Sequence, residues 1–390
     1  MTAPAPSIRR IGLLTTGRHD WGYLLPVARA VEAQADLAVV VLATGSHLHP
    51  AYGATVSAVR QAGLETVDVP LFADTGAAEP PAITPADLAF LARNLAAALA
   101  DHPVDVMVVL GDRIETLTAA VVTVASQTFL AHIHGGDRAP GEFDDANRHA
   151  ITKLAHVHFP ATAAAAERIR RLGEADDRIH LVGSPGIDSI VSEPPATDAQ
   201  VAKILGPVDG PYVVILQHPA GLGPAGETAA AEAVCRGVVD AGLAGVCLEP
   251  NGDPGREAIH AVLRKFSSRH RWPILPTVER PVFLRLVRDA VALVGNSSVG
   301  MIESSAVGAV AVNVGDRQRG REHGDNVVHC TAEREKIAEA LRNLRDDPAA
   351  ARKLRESPCP FGDGRASTRI ADVLATMDLS AARRIKLNTY

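Results

Sequence analysis

Short apolar runs recur along the first half of the chain, at 11–16 (IGLLTT), 37–43, 65–70, 104–110 and 128–134, with weaker ones at 156–160 and 178–183. Ala- and Leu-rich stretches with helical periodicity fill the gaps, at 21–35, 85–101, 113–126 and 144–155. Strand-length runs alternating with helical segments predict repeated βαβ units and a parallel sheet. Pro-, Gly- and Asp-rich stretches at 192–200 and 206–211 read as linker. A second series follows, with strands at 212–217, 244–250, 272–276, 290–296 and 309–315. Its helices fall near 226–241, 254–270, 280–288 and 299–307, and the tail adds 333–345 and 366–377. The expectation is an α/β chain of two Rossmann-like doubly wound domains, residues 1–190 and 205–362, facing across a cleft.

Composition agrees with that reading. At 390 residues the chain exceeds one ordinary domain, and with 47% hydrophobic but only 4% aromatic residues its core is built from Ala, Val, Leu and Ile. Such residues fill parallel sheets covered on both faces. The net charge of −6, with no long basic block, argues against nucleic acid as a partner. The first ten residues lack an apolar signal-peptide core, and no run approaches the roughly 18 apolar residues of a membrane span. Cys235, Cys247, Cys330 and Cys359 have no CxxC spacing, so neither a disulfide framework nor a thiolate zinc site is expected. A cytoplasmic protein with no membrane partner follows.

Doubly wound domains bind ligands at the C-terminal ends of their strands, so the chemistry is sought there. The first strand ends in TTGRHDWGYL, where Gly17 permits a tight turn and Arg18 offers a fork for phosphate as a helix begins. The spacing matches neither GxGxxG nor a Walker loop. The fourth ends in VLGDRIETL, with Asp112 and Arg113 at a helix start; Asp112 is either a functional acid or simply the helix N-cap. The fifth ends in AHIHGGDRAPGEFDDANRHAITK, the densest titratable cluster of the chain. Here His132 and His134, two residues apart, are expected on one strand face. Asp137, Glu142, Asp144, Asp145, Arg148 and His149 follow, and neighbouring carboxylates drive one another's pKa values apart. A metal held by the paired histidines is the competing reading, but no HxxxH spacing accompanies them, and no metal or cofactor is expected. For His156 and His158 the structural reading is preferred.

In the second series, LQHPAG places His218 at a strand end, and LEPNGDPG places Asn251 and Asp253 in a turn. GNSSVGMIE supplies Gly295, Asn296, Ser297 and Ser298 at a helix start, which is a pyrophosphate cradle in physical terms, with Glu303 within reach of a ribose. One βα unit later, Arg317, Arg319 and Arg321 offer charge for phosphates.

Taken together, ATGSHLHPAYG, VLGDRIETL, AHIHGGD, DDANRHAITKLAHVHF, LQHP, PNGDPG, GNSSVGMIE, GDRQRGREHGDNVVH and FGDGRASTRI resemble, in order, the hydrolysing UDP-N-acetylglucosamine 2-epimerases of sialic- and nonulosonic-acid pathways. The resemblance implies a glycosyltransferase-B-type fold whose C-terminal helix, within 363–390, returns to the first domain. It implies loss of UDP from C1 with proton removal at C2, then addition of water, giving N-acetylmannosamine and UDP. It further implies Asp112, Asp137, Asp144, Asp145 and His218 as catalytic, and Arg18, Arg113, His134, Arg148, Asn251, Ser297, Ser298, Glu303 and Arg321 as substrate- or UDP-binding. A small-molecule nucleotide-sugar and a homo-oligomer, dimer or tetramer, are the implied partners. Two departures stand out: Asp137 replaces a usual glutamate, and the loop GRHDWGYL carries His19 and Trp21 of its own, so a modified sugar such as a UDP-2,4-diacetamido-trideoxyhexose is the alternative substrate. A non-hydrolysing 2-epimerase is disfavoured, because that branch resembles HxEAGLRT and DSGG where this chain has HIHGGD and NSSV. A glycosyltransferase of the same fold would not need the acid cluster.

Overall fold

Ile11 to Thr15 are buried on both faces of a strand, β1 (Arg9–Thr15), which is why this run shows no apolar–polar alternation. The structure, a computed structural model, describes residues 8–73, 82–138, 143–206, 210–276 and 278–390. Two compact units divide the chain: Met1–Ser189 with Phe361–Tyr390, and Ile190–Pro360.

In the first unit, β1 pairs in parallel with β2 (Leu37–Ala43) on one side and β4 (Val106–Leu110) on the other. β3 (Glu65–Asp68), β5 (Phe129–Ile133) and β6 (Val157–Phe159) complete the order β3-β2-β1-β4-β5-β6. Its helices are α1 (Arg18–Glu32), α2 (Val56–Arg60), α3 (Pro85–Asp101), α4 (Ile114–Ala125), α5 (Asp144–Leu154), α6 (Ala163–Arg171) and α7 (Pro185–Ser192), the last running across the unit boundary. α3 starts where its sequence says: Thr84 and Asp87 form a reciprocal capping box around Pro85.

In the second unit, β7 (Tyr212–Leu216), β8 (Ala244–Leu248), β9 (Ile274–Leu275), β10 (Leu293–Gly295), β11 (Ala311–Val314) and β12 (Val327–Cys330) form a parallel sheet in the order β12-β11-β10-β7-β8-β9. This repeats the first unit's order, with β7 and β10 standing where β1 and β4 stand. α8 (Asp198–Leu205), α9 (Gly223–Asp240), α10 (Arg256–His270), α11 (Arg280–Asp289), α12 (Ser298–Ile302), α13 (Arg334–Asp346) and α14 (Pro348–Arg355) accompany it. The chain then returns to the first unit as α15 (Ala366–Thr376) and α16 (Ala381–Arg384). Ile370 and Leu374 of α15 pack with Trp21, Leu24 and Val27 of α1 over one sheet face. Leu91, Leu95, Ala119 and Ile151 of α3, α4 and α5 cover the other.

In both sheets the strand order reverses between the first and fourth strands, at β1/β4 and β7/β10. Ligands of doubly wound sheets sit outside the strand ends at such a switch point. At the second one, Gly295 has φ 139°, and a Cβ there would lie 2.1 Å from Leu216 O. Only glycine lets the two strand ends approach so closely.

The structure corrects four expectations. Residues 178–183 form no strand: they meet β6 through a single bridge, His158 to Ile179, because Pro160 ends β6 and has no N–H to extend a ladder. The stretch 192–200 is not all linker, since Thr197 and Gln200 form a capping box that starts α8. The helix expected over 299–307 is the five-residue α12 followed by a 3₁₀ turn over Ser304–Val307. β12, hidden in a polar stretch, was missed as a strand and forms the sheet edge.

Candidate active site

At the first switch point the loops after β4 and β5 converge through hydrogen bonds. His132, fully buried in β5, sets its Nε2 2.8 Å from Gly111 O and its Nδ1 3.2 Å from Thr152 Oγ1. Burial holds its pKa down to about 3, so it is neutral and fastens the β4–α4 loop to α5. His134 does not share its strand face. β5 ends at Ile133, and His134 takes φ 62°, which turns its ring away from the alternation. The same-face expectation fails for that reason.

From this turned position His134 Nδ1 lies 2.6 Å from Asp137 Oδ2, and Nε2 lies 2.9 Å from Ser184 Oγ. The Tyr23 ring stands edge-on to the imidazole at 5.6 Å. Both ring nitrogens are thus occupied within the protein. Asp137 Oδ1, by contrast, is buried and accepts no hydrogen bond among the described residues. Burial alone would raise the Asp137 pKa, but the charge and hydrogen bond of His134, with Arg148 and Arg168, outweigh it and hold it below the usual range.

Arg148, buried in α5, links the two loops. It donates to His134 O at 2.7 Å and forms an ion pair with Asp112. Asp112 is therefore no helix N-cap: that position belongs to Arg113, and the Asp112 carboxylate turns to Arg148 instead. Burial raises the Asp112 pKa, with Asp144 and Asp137 adding to it, against the pull of Arg148 and Arg113. Asp144 and Asp145 form the first turn of α5. Arg113 is half-exposed and bonds Glu115 at 2.6 Å, and Arg18 is exposed at the start of α1. Glu142 lies outside the described residues. His156 and His158 stand apart from these loops: Leu130 N donates to His156 Nδ1, and His158 pairs with Glu174.

The second switch point is organised by Asn296. Its Oδ1 accepts from His218 N at 2.7 Å and its Nδ2 donates to His218 O at 2.8 Å. Arg317 donates to Pro219 O and Asn296 O, which stitches the β7–α9 and β10–α12 loops together. Asn251 N donates to His218 Nδ1 at 3.1 Å, so the ring proton sits on Nε2. Burial and the nearby Arg317 lower the His218 pKa to about 4. Asn251 Nδ2 bonds Asp253, and the buried Ser297 caps α12 with Ser298 at its first position. Because α12 is so short, Glu303 is its C-cap, not a mid-helix residue; burial raises its pKa, and Arg280 stands 4.0 Å away. Arg319 is exposed beside Asp316, whereas Arg321 is partly buried.

Sequence reasoning missed Ser184, Tyr23 and Asp20. Ser184 lies 50 positions from His134, and only the fold joins them. Asp20 had a local signal: it is buried and accepts from Thr16 N at 2.9 Å, four residues back, bracing the β1–α1 turn.

Two parallel sheets of matching strand order, with carboxylates at one switch point and a Gly-Asn-Ser-Ser cradle at the other, form an α/β enzyme of glycosyltransferase-B type. The family model for UDP-N-acetylglucosamine 2-epimerase matches residues 29–375, and the chain belongs to that family. It is 31% identical over 400 residues to the UDP-N,N'-diacetylbacillosamine 2-epimerase (hydrolyzing) of Legionella pneumophila, covering 98% of this chain and 100% of that one. It is 30% identical over 390 residues to the UDP-N-acetylglucosamine 2-epimerase of Neisseria meningitidis, with the same coverage of each. Among solved structures, the UDP-GlcNAc 2-epimerase of Neisseria meningitidis bound to UDP-GlcNAc superposes with a TM-score of 0.74 at 17% identity, over 94% of this chain and 100% of that one. Among the described residues no cluster of three or more His, Cys, Asp or Glu side chains is arranged to hold a metal, and no helix is long and apolar enough to cross a membrane.

Proposed function

We propose that the protein is a hydrolysing 2-epimerase of a UDP-linked 2-acetamido sugar, with UDP-GlcNAc as the simplest substrate and N-acetylmannosamine and UDP as products. The observation that carries this reading is the pair of carboxylates around Arg148. Asp137 is held ionised with one buried oxygen unpaired among the described residues, while Asp112 is made the easier of the two to protonate. Two acids driven in opposite directions are the usual mark of a base and an acid sharing one site.

In the proposed reaction Asp137 takes the C2 proton as the C1–O bond to UDP breaks, and the electron pair of the C–H bond becomes the C1–C2 double bond of a glycal. Water then adds its oxygen to C1, and Asp112 delivers a proton to C2 from the opposite face. The second proton of the water re-protonates Asp112, and the proton on Asp137 passes to solvent. His218, neutral and with its proton on Nε2, donates a hydrogen bond to the departing diphosphate. Asn296, Ser297, Ser298, Arg321 and the exposed Arg18 and Arg113 serve the nucleotide, and Glu303 the ribose. His134 orients Asp137 and does not itself meet the sugar, since both its nitrogens are occupied.

The hydrolysing outcome is further supported by HIHGGD and NSSV and by the activity named for the Legionella relative. That relative also motivates a second reading of the substrate, UDP-N,N'-diacetylbacillosamine, because the short Asp137 leaves about 1 Å more room than a glutamate would. Incubation with each UDP-sugar in deuterium oxide distinguishes the readings. Free 2-epimerised sugar with deuterium at C2, plus UDP, supports hydrolytic epimerisation. UDP-ManNAc as the product indicates the non-hydrolysing reaction, and turnover only with an added acceptor indicates transfer.

A further inference from the structure

At the opposite end of the first unit's sheet, by the starts of β5 and β6, lies a cavity of about 140 Å³. Phe129, Val373 and Met377 form its apolar wall, and Arg178, Arg383, His156, His180, Asp177 and Asp378 its polar one. Arg178 is buried, yet among the described residues it donates only to main-chain oxygens: His156 O at 3.2 Å, and Arg383 O and Ile385 O at 2.9 Å each. Among the described residues no carboxylate pairs with it. The neighbouring acids are committed elsewhere. Asp177 pairs with Arg383, Glu174 with Lys153, Lys386 and His158, and Asp378 accepts from Ser380 N and Oγ. Asp177 and Glu174 act on Arg178 only through space, against Arg383, so this buried guanidinium, bonded to carbonyls, has no direct ion pair among the described residues and favours an anion. His156 adds a donor: Leu130 N donates to its Nδ1, so the proton is on Nε2. Burial, with Lys386, Arg178, His158 and Arg384 adding to it, lowers the His156 pKa to about 4.

We propose that this cavity is a second ligand site that binds a small organic carboxylate, its charge on Arg178 and Arg383 and its apolar body against Phe129, Val373 and Met377. A cavity of this size has room for a ring or a short aliphatic acid and not for a nucleotide-sugar. The ligand would join Arg383 of the C-terminal segment to the start of β5, so binding also stabilises that segment. The site is independent of the epimerase reading.

The test is calorimetric titration of the full-length protein with benzoate, benzamide and inorganic phosphate, each with and without saturating UDP. Expected is saturable benzoate binding, unaffected by UDP, with benzamide and phosphate much weaker. Arg383→Gln, which retains the main-chain oxygen that Arg178 uses, weakens benzoate roughly tenfold or more, as the loss of one charge-assisted hydrogen bond predicts. Arg178→Met abolishes binding where that variant folds. Absence of saturable benzoate binding, equal binding of benzamide or phosphate, competition by UDP, or unchanged affinity in Arg383→Gln would each overturn the proposal.

Discussion

His134 Nδ1 and Asp137 Oδ2 lie 2.6 Å apart, and this pair leaves Asp137 Oδ1 buried and without a hydrogen bond among the described residues. The histidine is held by its φ of 62°, by Arg148 on its carbonyl and by Ser184 on its far nitrogen, so it fixes the direction of the free oxygen. Asp137→Asn keeps the shape but removes the base. Its kcat is expected to fall by about 10²–10⁴-fold with little change in KM, the range for losing a positioned proton acceptor. Asp137→Glu is expected to retain measurable turnover. His134→Gln should lower kcat less than Asp137→Asn, and equal losses would count against an orienting role. UDP release and C2 deuterium uptake report all three.

Arg148→Met removes the cation that opposes burial at Asp112. The sign is fixed by the causes: burial raises the Asp112 pKa and Arg148 lowers it, so without Arg148 it rises further. Asp112 then stays protonated to higher pH, and the limb of the kcat–pH profile that reports its deprotonation moves alkaline. The variant should also lose roughly 3 kcal/mol of stability, the lower end of the range for breaking a buried pair, because Asp112 is partly exposed. Chemical denaturation and a pH–rate series check the two effects separately.

For His218 the prediction concerns shape. With a pKa near 4 the imidazole is neutral throughout the working range and cannot supply a proton as an imidazolium. His218→Phe should lower kcat by about 100-fold, the loss of one donor to developing charge. His218→Asn, which keeps an N–H, should recover part of it. In both variants the pH profile of kcat should retain its wild-type shape, and disappearance of a limb would show that His218 titrates in catalysis.

Most of the fold was legible because parallel strands buried on both faces write unbroken apolar runs, and because the residues that end them are polar or glycine. What escaped depends on partners distant in sequence. The run 178–183 has strand composition, but Pro160 on its neighbour closes the ladder. The i, i+2 spacing of His132 and His134 suggested one face, yet the chain leaves the strand between them. Ser184 joins His134 across 50 residues, and no motif marks it. Composition could flag the acid cluster but could not say which acid is lowered. That is decided by Arg148 and His134 on one side and by burial on the other.

Glu174 gives a prediction about the protein's stability in acid. It is buried, and Lys153, Lys386 and His158 surround it at 2.7, 2.7 and 3.0 Å. Burial opposes its ionisation, but these three partners hold its pKa at about 2 against an ordinary 4.5. The folded-state pKa is depressed, so the stabilisation is complete above about pH 4.5 and is lost as pH falls toward 2. The drop corresponds to on the order of 3 kcal/mol at neutral pH. Because Lys386 also donates to Ala155 O and Lys153 O at the end of α5, the ion cluster joins the C-terminal segment to the helix that carries Arg148. Glu174→Gln should therefore flatten the fall of stability between pH 4.5 and 2, measured by urea unfolding. It should also free residues 385–390 for faster amide exchange, and an unchanged acid slope would mean that other carboxylates dominate unfolding in acid.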